Sequence, residues 1–184
     1  MFLAAIVCGS AVITVAAATM AEPGPATQPV GQEGAESFAS GKVRLDTPSG
    51  YPVPRFVSLK ASRTNCRQGP SFDHPVRITF MRQGLPVIVV AETQDHWRKV
   101  RDFDGDECWV HKSKLSGVET ALVQTEGLVL RVRPTYAAPQ KARLGKGLIA
   151  KVEKHKSGWV KVSVDGVRGW VQPSGLWGKL SPSD

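Results

Sequence analysis

The sequence is poor in the residues on which covalent and metal chemistry draw. Its 184 residues include three cysteines and four histidines. A structural zinc site wants four Cys or His ligands at paired spacing. Cys108-Trp109-Val110-His111 offers one of each, and His74, His96 and His155 supply no second pair. The acidic run Asp102, Asp104, Asp106, Glu107 lacks the spaced loop of an EF-hand and falls at a turn signal. No metal and no cofactor is expected. A helical hydrophobic period is missing after Pro54, which excludes a bundle. Charge is missing from Met1 to Ala21, a stretch of Ala, Val, Ile and Leu that stops at Glu22-Pro23. Residues 1–21 therefore read as an export signal, with Thr19 and Ala21 at the small-residue positions of a cleavage site. The same 21 uncharged residues are long enough to cross a bilayer of about 30 Å if they are retained. Cys8 follows Val7, where a lipid-attachment signal wants a small residue, and is read as part of the apolar stretch.

Residues 22–54 hold six Pro and five Gly, a density that marks a linker. The linker is slightly acidic, so the net charge of +8 belongs to the residues beyond Pro54. From Val118 on there are eleven Lys and Arg against five Asp and Glu. In a cytosolic chain this excess would suggest nucleic acid. Behind an export signal the available polyanions are lipopolysaccharide, phospholipid headgroups and the carboxylates of peptidoglycan, and no nucleic acid is expected. Export also leaves Cys66 and Cys108 where disulfides form.

From residue 55 onward the chain repeats itself. NCRQGPSF (65–72), HWRKV (96–100) and DGDECWV (104–110) return as VLRVRPTY (129–136), GWVKV (158–162) and DGVRGWV (165–171). The spacing between copies drifts from 64 to 61 residues, the mark of small loop insertions. Short runs rich in β-branched residues, with alternation in Val160 to Val164, predict strands, and Asp104-Gly105 and Asp165-Gly166 predict hairpin turns. Two small β units are expected, over 55–117 and 118–178, with a tail at 179–184.

These motifs, with GLPV (84–87) and YPVPRFVSLK (51–60), resemble the periplasmic branch of the bacterial SH3-like domains, over residues 51–178. The resemblance implies an all-β fold of two tandem small SH3-like β-barrels. It also implies a binding role. Cys66 and Cys108 replace Leu130 and Gly169 of the second copy, at positions that are near each other in such barrels. The paired change suggests a disulfide confined to the first barrel. A disulfide would consume the thiolate that a Cys-His nucleophile needs, and no third domain is present to carry catalysis, so no enzyme is expected.

Alternation within strands puts Trp159 opposite Val160, Val162 and Val164, and Trp97 opposite Val100. Trp109 and Trp170 likewise point away from the valines next to them in the chain. Similarity to eukaryotic SH3 domains, in which such aromatics line a groove for an extended peptide, nominates Trp97 with Trp109, and Trp159 with Trp170, as ligand-binding residues. The alternative is that the rings only cover the barrel ends. The expected protein is periplasmic or secreted, and binds peptidoglycan peptide or an extended protein segment. The alternative is an assembly subunit that contacts periplasmic protein partners only, tethered to the membrane if residues 1–21 are kept. Trp177 is placed to pack between the two barrels.

Overall fold

The computed structural model describes residues 43–180, so the expected signal segment, the linker up to residue 42 and the end of the tail lie outside the described residues. The first unit runs β1 (Arg55–Leu59), β2 (Thr64–Arg67), β3 (Val76–Phe80), β4 (Pro86–Glu92), β5 (Trp97–Arg101), β6 (Glu107–His111), a 3-10 turn (Lys112–Lys114) and β7 (Leu115–Ser116). The second runs β8 (Thr120–Val123), β9 (Leu128–Arg131), β10 (Gln140–Leu144), β11 (Ile149–Lys156), β12 (Trp159–Val164), β13 (Val167–Val171), a 3-10 turn (Pro173–Gly175) and β14 (Leu176–Gly178). There is no α-helix among the described residues. The strand orders are β3-β2-β6-β5-β4-β1-β7 and β10-β9-β13-β12-β11-β8-β14, the same topology twice. All the described pairings are antiparallel.

Local sequence accounts for the elements. In β12 the side chains of Val160, Val162 and Val164 are buried, and the intervening Lys161 and Ser163 are not. Asp165 and Gly166 join β12 to β13 with φ of 47° and 83°, the left-handed pair that a two-residue hairpin matching strand twist requires. Each barrel closes on its own core, one around Val87, Val89, Val100 and Val110, the other around Leu130, Val160, Val162 and Val171.

Cys66 and Cys108 form the disulfide, with Cα atoms 5.5 Å apart, inside the first core. In the second core Leu130 takes that place. A side chain on Gly169 would put its Cβ 2.6 Å from Leu130 Cγ, so Gly169 is bare because Leu130 fills the space.

The linker expected to reach residue 54 ends earlier. Arg44 pairs with Val53 in an antiparallel bridge, and Val53 is fully buried in the first core. Glu92 explains why a Pro- and Gly-rich stretch settles there. Its side chain is 0% exposed, accepts from the Ser49 backbone N–H at 3.0 Å, pairs with Arg98 at 2.9 Å and also binds Arg55. Ordering of residues 43–54 thus comes from a buried ion cluster and one valine, which composition does not register.

The two barrels share one compact unit. Residues 117–119 connect them, and a third apolar cluster of Ile88, Leu122 and Trp177 lies between them, with Phe56, Leu85 and Ile149 packed against it. The Trp177 ring meets Phe56 at 5.2 Å and Phe103 at 5.6 Å, both edge-on. The Arg82 guanidinium donates to the Gly147 carbonyl across the same seam.

Candidate functional site: an aromatic hollow with a cationic rim

A hollow of about 240 Å3 opens on the first barrel, lined by Arg63, Asn65, Arg67, Phe72, Trp97, His111, Ser113 and Lys114. Its floor is Trp97, the first residue of β5, which stands opposite His111 at the end of β6. Phe72 comes from the loop between β2 and β3 and folds back onto Trp97, ring centroids 4.9 Å apart and edge-on. Phe72 remains 67% exposed, so the ring is both held and available. His111 completes the cluster, 5.5 Å from Trp97 and 5.6 Å from Phe72.

The loop is set by an arginine that occurs in both copies. The Arg67 guanidinium donates to the His74 carbonyl at 2.6 Å, and Arg131 donates to the Ala138 carbonyl at 2.7 Å. The next residues, Gln68 and Val132, donate backbone N–H to Pro75 and Pro139 at 3.1 and 3.2 Å. Each loop is thereby pinned at its neck, and its aromatic is laid over the strand Trp: Tyr136 meets Trp159 at 5.1 Å, as Phe72 meets Trp97. In the first loop the His74 imidazole lies where a side chain on Gly69 would go, so a Cβ there would collide with the ring. The second copy has Arg133 and Ala138 at these two positions, so the larger residue and the smaller one exchange together.

Electrostatics separate the copies. Around the first hollow stand Arg63, Arg67 and Lys114, with no carboxylate in the lining among the described residues. In the second barrel the corresponding positions of Arg63, Asn65, His111 and Lys114 are Gly127, Val129, Gln172 and Gly175, which removes two of the three rim cations and leaves Arg131 in the place of Arg67. Trp159 lines a separate hollow of about 170 Å3 with His155, Pro173 and Leu180. Burial, then the positive neighbours His96, Lys112, Arg98 and Lys114, push the His111 imidazole below its ordinary value, so it is neutral at pH 7. Its Nδ1 lies 2.9 Å from the Ser113 hydroxyl and 3.4 Å from the Ser113 backbone nitrogen, which fixes the ring beside the turn. The site can thus receive an apolar side chain on aromatic rings and an anionic group at the rim.

The four nominated tryptophans divide into two kinds. Trp97 and Trp159 lie outside both core clusters, as alternation implies, yet they are only 4% and 6% exposed, because Phe72 and Tyr136 cover them. Trp109 stands opposite Lys99 and Trp170 opposite Lys161, on the same sheet faces but one pair further along. Trp97 is brought together with Phe72 and His111 rather than with Trp109. Phe72, Tyr136, His111 and Arg63 were not nominated. The signal for the first two was in the sequence, since both copies of the first motif end in an aromatic. Among the described residues no group of three or more His, Cys, Asp or Glu is placed to hold a metal ion.

Two stretches, residues 60–117 and 124–178, match the family described as bacterial SH3 domain. The chain belongs to that family. In this bacterial SH3 protein each match falls within one barrel and begins just after that barrel's first strand. Among solved structures, NlpC2 and NlpC1 from Trichomonas vaginalis are similar, each at 13% identity over 73% of this chain, with a TM-score of 0.32. The chain spans about half the length of each, 51% and 49%. No curated protein matches it.

Proposed function

We propose that this bacterial SH3 protein is a noncatalytic binding protein of the cell envelope, and that its first barrel captures an extended peptide such as a peptidoglycan stem peptide. The observation that carries the reading is Phe72, an exposed aromatic ring braced by Trp97 and His111 inside a rim of Arg63, Arg67 and Lys114. Such a surface suits a chain that alternates small apolar side chains with carboxylates, which is the chemistry of cell-wall peptides. Membership of the bacterial SH3 family supports a binding role, and the disulfide is compatible with a compartment outside the cytoplasm. The second barrel lacks the counterparts of Arg63, His111 and Lys114, so it does not share this ligand.

Co-sedimentation with purified peptidoglycan sacculi tests the reading. Retention should survive about 0.5 M salt, where exposed charge attraction is largely screened. Phe72→Ala should reduce retention while leaving the fold intact, since the ring is mostly exposed. Retention that vanishes at modest salt, or that ignores Phe72, would refute a pocket and leave only nonspecific attraction.

A further inference from the structure

On the other side of the Lys112–Lys114 turn lies a second and larger hollow, of about 450 Å3. Ser113 and Lys114 line the Phe72 hollow, whereas Lys112 and Leu115 line this one, so a single turn is the wall between them. Tyr51, Arg55 and Phe56 come from the first barrel and its leading segment, and Lys179 comes from the end of the second barrel. The second barrel therefore completes one edge of a hollow built mainly by the first.

Its lining contains four cations, Arg55, Arg98, Lys112 and Lys179, and among the described residues no Asp or Glu. Two carboxylates stand behind it: buried Glu92 binds Arg55 and Arg98, and Glu119 binds Lys179 at 2.6 Å. Arg55 and Arg98 share the one carboxylate of Glu92 and Lys112 stands exposed at the edge, so the wall is positive among the described residues. The Arg55 guanidinium lies over the Tyr51 ring, 5.5 Å from its centroid, which keeps an aromatic face beside the charge.

We infer that the two hollows form one binding track, and that its occupant is an extended acidic peptide. The inference rests on the proposed reading of the Phe72 hollow. An apolar side chain lies on Phe72, and a carboxylate about three residues along the peptide is held by Lys112 and Lys179. Extended chain advances roughly 3.3 Å per residue, so three residues give the peptide a reach of about 10 Å from one side of the three-residue turn to the other. Charge complementarity selects the acid: among the described residues neither hollow has a carboxylate in its lining, and both present aromatic surface to the adjoining apolar groups. A phosphate-bearing lipid surface would use the cations but leave the aromatic hollows without a role.

The test is a titration of the full chain with three fluorescent peptides. One carries an apolar residue alone, one carries it with Glu three residues away, and one has Gln in place of that Glu. The Glu peptide should bind roughly tenfold more tightly than the Gln peptide, as a hydrogen bond to a charged group implies. Lys112→Glu, a change at an exposed residue, should abolish that difference and leave the short peptide unaffected. Phe72→Ala should weaken all three. If Phe72→Ala weakens binding but Lys112→Glu acts on no peptide, or on all equally, the track is refuted and the Phe72 reading stands. If Phe72→Ala changes nothing, that reading fails and the track with it. Competition of the Glu peptide by inorganic phosphate or phosphatidylglycerol vesicles as effectively as by unlabelled peptide would also overturn the track, in favour of a charge-only surface.

Discussion

Two titrating residues of the first barrel respond to pH in opposite senses. His111 is held below its ordinary value of 6.5 by burial and by His96, Lys112, Arg98 and Lys114, and Arg63 and Arg67 line the same hollow with no compensating carboxylate among the described residues. A ligand carboxylate in the hollow favours the protonated ring, so binding takes up a proton. Affinity for an acidic peptide should therefore rise several-fold between about pH 7.5 and about pH 5.5, within the tenfold per unit that one proton permits. His111→Gln, which installs the residue found at 172, should flatten that profile in calorimetric titrations. A flat wild-type profile would place the carboxylate elsewhere. For Glu92, burial alone would raise the carboxyl, but hydrogen bonds from Ser49 and Arg55 and the charges of Arg55 and Arg98 outweigh it and hold the group below the ordinary 4.5. Its contribution to stability is thus complete above that ordinary value and is lost as pH falls through the lowered one. Glu92→Gln leaves two guanidinium groups without their counter-charge, and should destabilise the first barrel by about 3 to 5 kcal/mol in denaturant melts near pH 7, with a smaller difference in acid.

Strand by strand, the two barrels differ most where β2 meets β6 and where β9 meets β13. One solution there is a disulfide between Cys66 and Cys108; the other is Leu130 lying over a bare Gly169. The first closes a sequence separation of 42 residues, so reduction should remove about 4 kcal/mol of stability, a loss that originates in the first barrel. Gly169→Ala should destabilise the second barrel by about 1 to 3 kcal/mol, since its Cβ would meet Leu130 Cγ at 2.6 Å and the Arg131 carbonyl at 2.8 Å. The double change Leu130→Cys with Gly169→Cys removes the leucine and should oxidise to a second disulfide, seen as the absence of titratable thiol. Two free thiols in the folded double variant would mean that the barrels do not superpose at this point. Such pairings were legible in the sequence because strands are periodic and the copies can be laid side by side. That Trp97 and Trp159 face away from the core was legible for the same reason. The covering of those rings was not, because Phe72 and Tyr136 sit in irregular loops where no period says which way a side chain turns, and their partners are more than twenty residues away in the chain. Val53 was hidden by its Pro- and Gly-rich neighbours, although its partners are the first core and Arg44.

For the whole molecule the question is whether two units of about 60 residues, among the smallest that fold alone, behave as one. Trp177 decides it on geometry: it belongs to β14 of the second barrel, yet its ring meets Phe56 and Phe103 of the first and packs in the cluster with Ile88 and Leu122. Removing a buried Trp side chain typically costs about 3 to 5 kcal/mol, and here the loss falls on the seam rather than on either core. The intact protein should therefore unfold in one transition, with far-ultraviolet dichroism and tryptophan fluorescence coincident. Trp177→Ala should split that transition in two. Reductant should then move only the one that belongs to the first barrel, because the second holds no cysteine. In the intact protein the same reductant should move the whole curve, since the seam makes each barrel share the other's loss. Two separate transitions in the wild type would show that the seam contributes too little to couple the barrels. The hollow that takes part of its wall from Lys179 would then lack a fixed geometry, so the unfolding curve bears on the binding track as directly as any peptide titration does.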